Sequence, residues 1–139
     1  MLDQVSTCQN RSSRRVLIVD DAPEVRQELA LLLELTGAFQ VVGEASNGLE
    51  AVLQATAQHP DLVLMDLGMP VLDGYAATRQ IKSANPDCRV IVLTVHDGET
   101  ERQEAARAGA DGFIVKGAGL EILIHTMSGR EEETKDHCE

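Results

Sequence analysis

The chain has 139 residues, with 23 acidic and 12 basic side chains and a formal net charge of −11. That length suits one domain with a sizeable core, and an aromatic share of 2%, carried by Phe39, Tyr75 and Phe113 without any Trp, makes the core aliphatic. Scarce aromatics and excess acid argue against base-stacking modules and phosphate-backbone binding, and favour a cation or a basic partner.

Residues 1–15 hold Asp3 against Arg11, Arg14 and Arg15, and residues 129–139 hold five acids against Arg130 and Lys135. Both ends are poor in apolar residues and read as tails: an N-terminal tail at 1–15, a body at 16–128 and a C-terminal tail or linker stub at 129–139. In the body, Val16-Leu17-Ile18-Val19 is a short apolar run without alternation, which fits a strand buried on both faces. It ends in Asp20-Asp21. Pro23 suits the first turn of a helix that places Val25, Leu29, Leu32 and Leu33 on one side and closes at Gly37. Phe39–Ala45 reads as a second strand. Asn47 can cap the next helix, with Leu49, Val52, Leu53 and Ala57 on its apolar side, and Pro60 breaks it.

Leu62-Val63-Leu64-Met65 is a third buried strand, ending in Asp66. A loop through Met69-Pro70 and Asp73-Gly74 leads to a helix near Tyr75–Ser83, stopped by Pro86. Arg89–Thr94 holds the fourth strand, Glu99–Ala108 a polar helix closed by Gly109, Gly112–Val115 the fifth strand, and Leu120–Met127 a last helix. Strands alternating with helices predict a parallel α/β sheet covered on both faces by five helices, in the flavodoxin-like, doubly wound order 2-1-3-4-5.

Several classes drop out. The apolar region from Leu29 to Val42 is interrupted by Glu34, Thr36 and Gln40, so no segment spans a bilayer and no membrane partner is expected. The N-terminus lacks an apolar signal core. Cys8, Cys88 and Cys138 form no disulfide framework, which points to a reducing, cytoplasmic setting. No CxxC or HExxH spacing supports zinc, and His59, His125 and His137 read as surface residues. Three arginines beside a strongly acidic body do not make a nucleic-acid site.

In open α/β sheets ligands bind beyond the carboxyl ends of the strands. Those ends carry Asp20, Asp21, Asp66, Thr94 and Lys116. Three carboxylates in one crevice repel one another, and Mg²⁺, which takes a few carboxylates and keeps waters for a phosphate, resolves the conflict, with Mn²⁺ as a substitute. Mg²⁺ and Lys116 together balance three carboxylates, leaving a pocket able to accept a phosphoryl group. Carboxylates are established nucleophiles in such transfers.

These residues resemble the receiver domain of two-component response regulators: Asp20-Asp21 after Val16–Val19, Asp66 within Leu64–Pro70, then Asp73-Gly74, Leu93-Thr94 and Val115-Lys116. The resemblance covers residues 16–127. It implies that Asp66 takes a phosphoryl group from a sensor histidine kinase, a phosphotransfer protein or a small donor such as acetyl phosphate. Asp20, Asp21, Asp66 and the backbone carbonyl of Gly68 would hold Mg²⁺. Lys116 would neutralise the phosphoryl oxygens and Thr94 would hydrogen-bond one of them. His96 stands where the family usually has an aromatic switch residue. The helix from Glu99 and the segment Gly119–Met127 would belong to the output face that rearranges on phosphorylation, and a phosphorylation-dependent homodimer is a further expectation.

Three departures stand out. Gly117 replaces a frequent Pro, Gly68 leaves the position two after Asp66 without a side chain, and His96 is smaller and more polar than Tyr or Phe. The stretches Leu93–Asp97 and Val115–Ala118 resemble the subfamily whose full-length members append a LuxR-type helix-turn-helix domain for transcription regulation. Residues 129–139 are too few for one, so the chain reads as a stand-alone receiver or a truncated regulator. The alternatives are a pseudo-receiver acting only as a docking module, and a phosphatase with an Asp nucleophile. The latter needs a second Asp where Gly68 stands.

Overall fold

The computed structural model describes residues 13–67, 72–95 and 98–128. Five parallel strands, β1 (Arg14–Val19), β2 (Phe39–Ala45), β3 (Leu62–Asp66), β4 (Arg89–Thr94) and β5 (Gly112–Val115), pair in the order β2-β1-β3-β4-β5. The helices are α1 (Pro23–Leu35), α2 (Gly48–Gln58), α3 (Gly74–Ala84), α4 (Glu99–Ala108) and α5 (Leu120–Met127). The order expected from the alternating pattern is the order found.

The unbroken apolar runs are explained by where alternate residues go. Val16, Ile18, Leu62, Leu64, Ile91, Leu93 and Ile114 face one core, closed by Leu33 of α1 and by Leu123 and Met127 of α5. Leu17, Val19, Val63, Met65 and Val90 face the other, closed by Ala51 and Ala55 of α2 and by Ala77 and Ile81 of α3. The runs Val16–Val19, Leu62–Met65 and Val90–Leu93 therefore need apolar side chains at every position, not at every second one. Cys88 belongs to the second core, where burial pushes its thiol up to about 11, so it stays an unreactive thiol.

Three features differ from the sequence expectation. Strand β1 begins at Arg14, before the apolar run, because Arg14 and Arg15 pair with Phe39 and Gln40 and the Arg15 amide donates to the Asp61 carboxylate at 2.9 Å. Helix α2 turns Gly48, Ala51 and Ala55 to the core, and leaves Leu49 and Leu53 at 49% and 61% exposure. Small residues win that face because the helix sits so close that a Cβ on Gly48 would fall 2.0 Å from the Leu72 carbonyl oxygen. On α1, only Leu33 of the four residues expected inward is fully buried. Val25, Leu29 and Leu32 instead line a groove of about 330 Å³ between α1 and α5.

Caps fix where the helices start. Asn47 accepts the Glu50 amide at 2.9 Å while the Glu50 carboxylate accepts the Ser46 amide at 2.8 Å, a reciprocal arrangement. Asp73 caps α3 through the Ala76 amide at 2.8 Å. At the far end of the fold, Arg14 and Arg89 both donate to the Met127 carbonyl oxygen, at 3.4 and 2.9 Å, so two cations hold the C-terminus of α5.

Gly74 starts α3 directly behind the end of β3. A Cβ there would lie 2.3 Å from the Asp66 carbonyl oxygen and 2.8 Å from Leu67 Cα, both backbone atoms that cannot swing aside. Gly74→Ala is therefore expected to destabilise the domain by about 1–3 kcal/mol, the usual range for overpacking, read as a lower urea midpoint at unchanged slope.

Candidate functional site

The topology brings the ends of β1, β3, β4 and β5 side by side, because these four strands are consecutive in the sheet. Asp66 is the last residue of β3 and Thr94 of β4, while Asp20-Asp21 and Lys116 directly follow β1 and β5. One carboxylate oxygen from each of Asp20, Asp21 and Asp66 lies within 4.8 Å of the others. Asp20, Asp66 and Thr94 are buried and Asp21 is exposed, so the crevice has a desolvated floor and an open lip.

Asp20 is held from several sides. Its amide donates to the Ala45 carbonyl at 3.0 Å, continuing the β1–β2 ladder by one residue. Its Oδ1 accepts the Ala22 amide at 3.0 Å, and its Oδ2 accepts the Lys116 ammonium at 2.7 Å. Lys116 also reaches Asp66 Oδ1 at 3.5 Å, and its own amide donates to the Thr94 carbonyl at 2.6 Å. The ammonium thus sits between two buried carboxylates but closer to Asp20.

That asymmetry shapes the electrostatics. Burial raises the Asp66 carboxyl above the usual carboxylate range, and Asp20 and Asp21 push it the same way, while Lys116 works against them. Burial alone would lower the Lys116 ammonium, but its bond to Asp20 and the charges of Asp66 and Asp20 outweigh it and hold the ammonium above its ordinary value. One lysine does not balance three carboxylates. The uncompensated charge and the all-oxygen donor set suit a hard divalent cation.

The structure brings together Asp20, Asp21, Asp66, Thr94 and Lys116, as the strand ends lead one to expect. Gly68 and His96 lie outside the described residues. The residue at the N-cap of α1 is Ala22, so Asp21 stands one residue before the helix boundary. Lys116 has a side chain that is 24% exposed. Its bond to Gly117 is trans, and Gly117 takes φ of 91°, a backbone that the proline frequent at this position could not adopt. Arg26 is a residue that the sequence reading passes over. Its guanidinium donates to the Asp20 carbonyl at 2.6 Å, and only its place one turn into the helix that follows the acidic pair hints at this.

Residues 16–128 match the family described as response regulator receiver domain. The chain is 42% identical over 113 residues to the transcriptional regulatory protein YdfI of Bacillus subtilis (strain 168), covering 81% of this chain and 53% of that protein. The chain spans about half the length of several curated relatives it matches. Among solved structures, a LuxR-family two-component response regulator from Aurantimonas sp. SI85-9A1 superposes with a TM-score of 0.81 at 33% identity, covering 85% of this chain and 84% of that one. The receiver domain of the sensor histidine kinase PA1611 from Pseudomonas aeruginosa PAO1, described with a magnesium ion coordinated in its active site cleft, superposes with a TM-score of 0.75 at 29% identity, covering 84% and 95%.

A carboxyl raised in the folded state lends stability below the ordinary carboxylate range and loses it as the pH climbs through the raised value. Ionised Asp66 therefore weakens the metal-free fold at neutral pH. Asp66→Asn is expected to raise Tm in EDTA at pH 7 by a few degrees, ~1 kcal/mol corresponding to about 4 °C in a domain of this size. The gap should close toward pH 4, and added Mg²⁺ should raise Tm of the parent protein more than that of the variant.

Proposed function

The chain belongs to the response regulator receiver domain family, and on that premise we propose that it is the phosphoryl-accepting switch of a two-component system, with Asp66 as acceptor. The observation that carries this reading is the shared ammonium. Lys116 bridges Asp20 and Asp66 at the floor of a crevice in which three carboxylate oxygens converge.

The chemistry follows from the charges. An Asp66 carboxylate oxygen attacks the phosphorus of a phosphohistidine or an acyl phosphate. The new P–O bond forms as the donor's P–N or P–O bond breaks, and the departing group keeps the electron pair. Little covalent work falls to the protein beyond positioning and charge neutralisation. Asp20, Asp21, Asp66 and the Gly68 carbonyl would hold Mg²⁺, which when bound supplies countercharge for the incoming phosphoryl oxygens. The magnesium described in the PA1611 receiver supports that choice; Mn²⁺ is the expected substitute. The domain thereby promotes its own phosphorylation and dephosphorylation, and acts as a signalling switch more than as an enzyme turning over a free substrate.

Phosphorylation adds negative charge at the end of β3. Lys116 would be drawn from Asp20 toward it and the Thr94 hydroxyl would close on a phosphoryl oxygen. Lys116 is followed by Gly117 and Gly119, both at positive φ, and then by α5, so its displacement reaches the last helix with little backbone resistance. A shift between two such states, with His96 as part of the switch, would change the surface offered to a partner. The partners fitting this reading are a sensor histidine kinase or phosphotransfer protein and a second copy of the chain on phosphorylation. Transcription control would run through a DNA-binding segment like that of the LuxR-family relatives, not through direct nucleic-acid contact by this domain. No described helix is long and apolar enough to cross a membrane, and a cytoplasmic site of action fits.

With Mg²⁺ and acetyl phosphate or a phosphorylated kinase, the protein should take up base-labile label that EDTA prevents. Asp66→Asn should abolish it, and label persisting in that variant would sink the assignment. Lys116→Ala should still be labelled but lose the phosphorylation-dependent change in amide exchange over residues 112–127. An unaltered exchange response would remove Lys116 from the switch.

A further inference from the structure

We propose that Arg26 is a positioning residue for the cation-binding pair: it pins the peptide plane between Asp20 and Asp21 and so sets how the two carboxylates converge. The inference rests on reading the acidic crevice as a cation site.

The need for Arg26 arises from the turn between β1 and α1. Asp20 lies past the last strand residue, Val19, and before the first helical residue, Pro23. In such a turn its carbonyl would ordinarily accept the amide three residues on, but that residue is Pro23, which has no N–H. The next helical bond of the turn runs from the Arg26 amide to Ala22, leaving the Asp20 carbonyl outside the helical ladder. The Arg26 side chain fills the gap, its Nη1 donating to Asp20 O at 2.6 Å. Because the peptide unit is planar, fixing that oxygen fixes the Asp21 nitrogen and the direction in which Asp21 leaves the strand end. Asp21 is the exposed member of the trio, so its approach to the others depends on this backbone plane.

Arg26 is itself oriented from a second side. Its Nε donates to Glu44 Oε1 at 3.0 Å, from the strand next to β1. A planar guanidinium can serve two acceptors in fixed directions at once, which a lysine cannot. Glu44 also balances the arginine's charge, so Arg26 contributes direction without setting an unopposed positive charge beside the site.

The two roles open to Arg26 predict opposite signs. A cation near the crevice, acting only through its charge, would repel Mg²⁺, and its removal would tighten binding. A positioning residue would loosen binding when removed, by roughly tenfold or more, as for other groups that orient metal ligands. Calorimetric titration of the full chain with Mg²⁺ separates them. Arg26→Met and Arg26→Gln should both weaken Mg²⁺ binding by roughly tenfold while unfolding in EDTA stays cooperative, and Arg26→Lys, keeping one donor, should recover part of the loss. Unchanged or tighter binding in either neutral variant overturns the proposal; should Arg26→Met fail to fold, Arg26→Gln and Arg26→Lys decide it. Asp21→Asn tests the underlying reading separately. If that variant binds Mg²⁺ as the parent does, the crevice is not the cation site, whatever Arg26 does.

Discussion

Like charges forced together at the end of a buried sheet are the constraint around which this domain is organised. Asp20 and Asp66 are 3% and 8% exposed, and carboxylates so placed are costly unless something opposes them. Among the described residues, the opposing charge that reaches both is the Lys116 ammonium. It lies 2.7 Å from Asp20 and 3.5 Å from Asp66, so the strand that is better satisfied is β1 and the carboxylate left wanting is the one on β3. The imbalance is what gives the site its chemistry: Asp66 is under-compensated, and a divalent cation or a rearranged lysine relieves it.

The rest of the fold can be read as the apparatus that makes such a crowding tolerable. Two aliphatic cores grip the sheet from both sides, and β1, β3 and β4 contribute to each. The energy for holding unfavourable charges at the strand ends comes from this burial. Glycines admit the closest approaches: Gly74 lets α3 start against the backbone of Asp66, and Gly48 lets α2 pass Leu72. Backbone placed within van der Waals contact of its neighbours fixes where the strand ends lie, and the long side chains of Lys116 and Arg26 then hold Asp20 in place.

Much of this was legible in the sequence, for physical reasons that differ by element. A strand buried on both faces announces itself as an unbroken apolar run, so Val16–Val19 and Leu62–Met65 were plain, and acids closing such runs could only be strand ends. Arg14 and Arg15 were not legible as strand, because backbone pairing with Phe39 and Gln40 is indifferent to their charge. Helix α2 misled for another reason: periodicity marks a stripe of large apolar residues, whereas the face chosen was the stripe of small ones that permits close packing. The preference of Lys116 for Asp20 over Asp66, and the bond from Arg26 to a carbonyl, depend on ångström-scale placement that no spacing in the chain encodes.

The two ends of α5 are held very differently. Arg14 and Arg89 grip its last carbonyl, while its first residue hangs from Gly117, Ala118 and Gly119, where both glycines have positive φ. Eight residues make a lever about 12 Å long, with its fulcrum at Met127 and its free tip beside Lys116. Tilting such a lever by about 10° carries the tip about 2 Å and the fulcrum nowhere. The groove between α1 and α5 is bounded by Lys116, Gly117 and Leu123 on the lever's side. Lys116 is thus shared by the acidic site and the wall of this groove, and a tilt of α5 about its Met127 end would change the groove's shape.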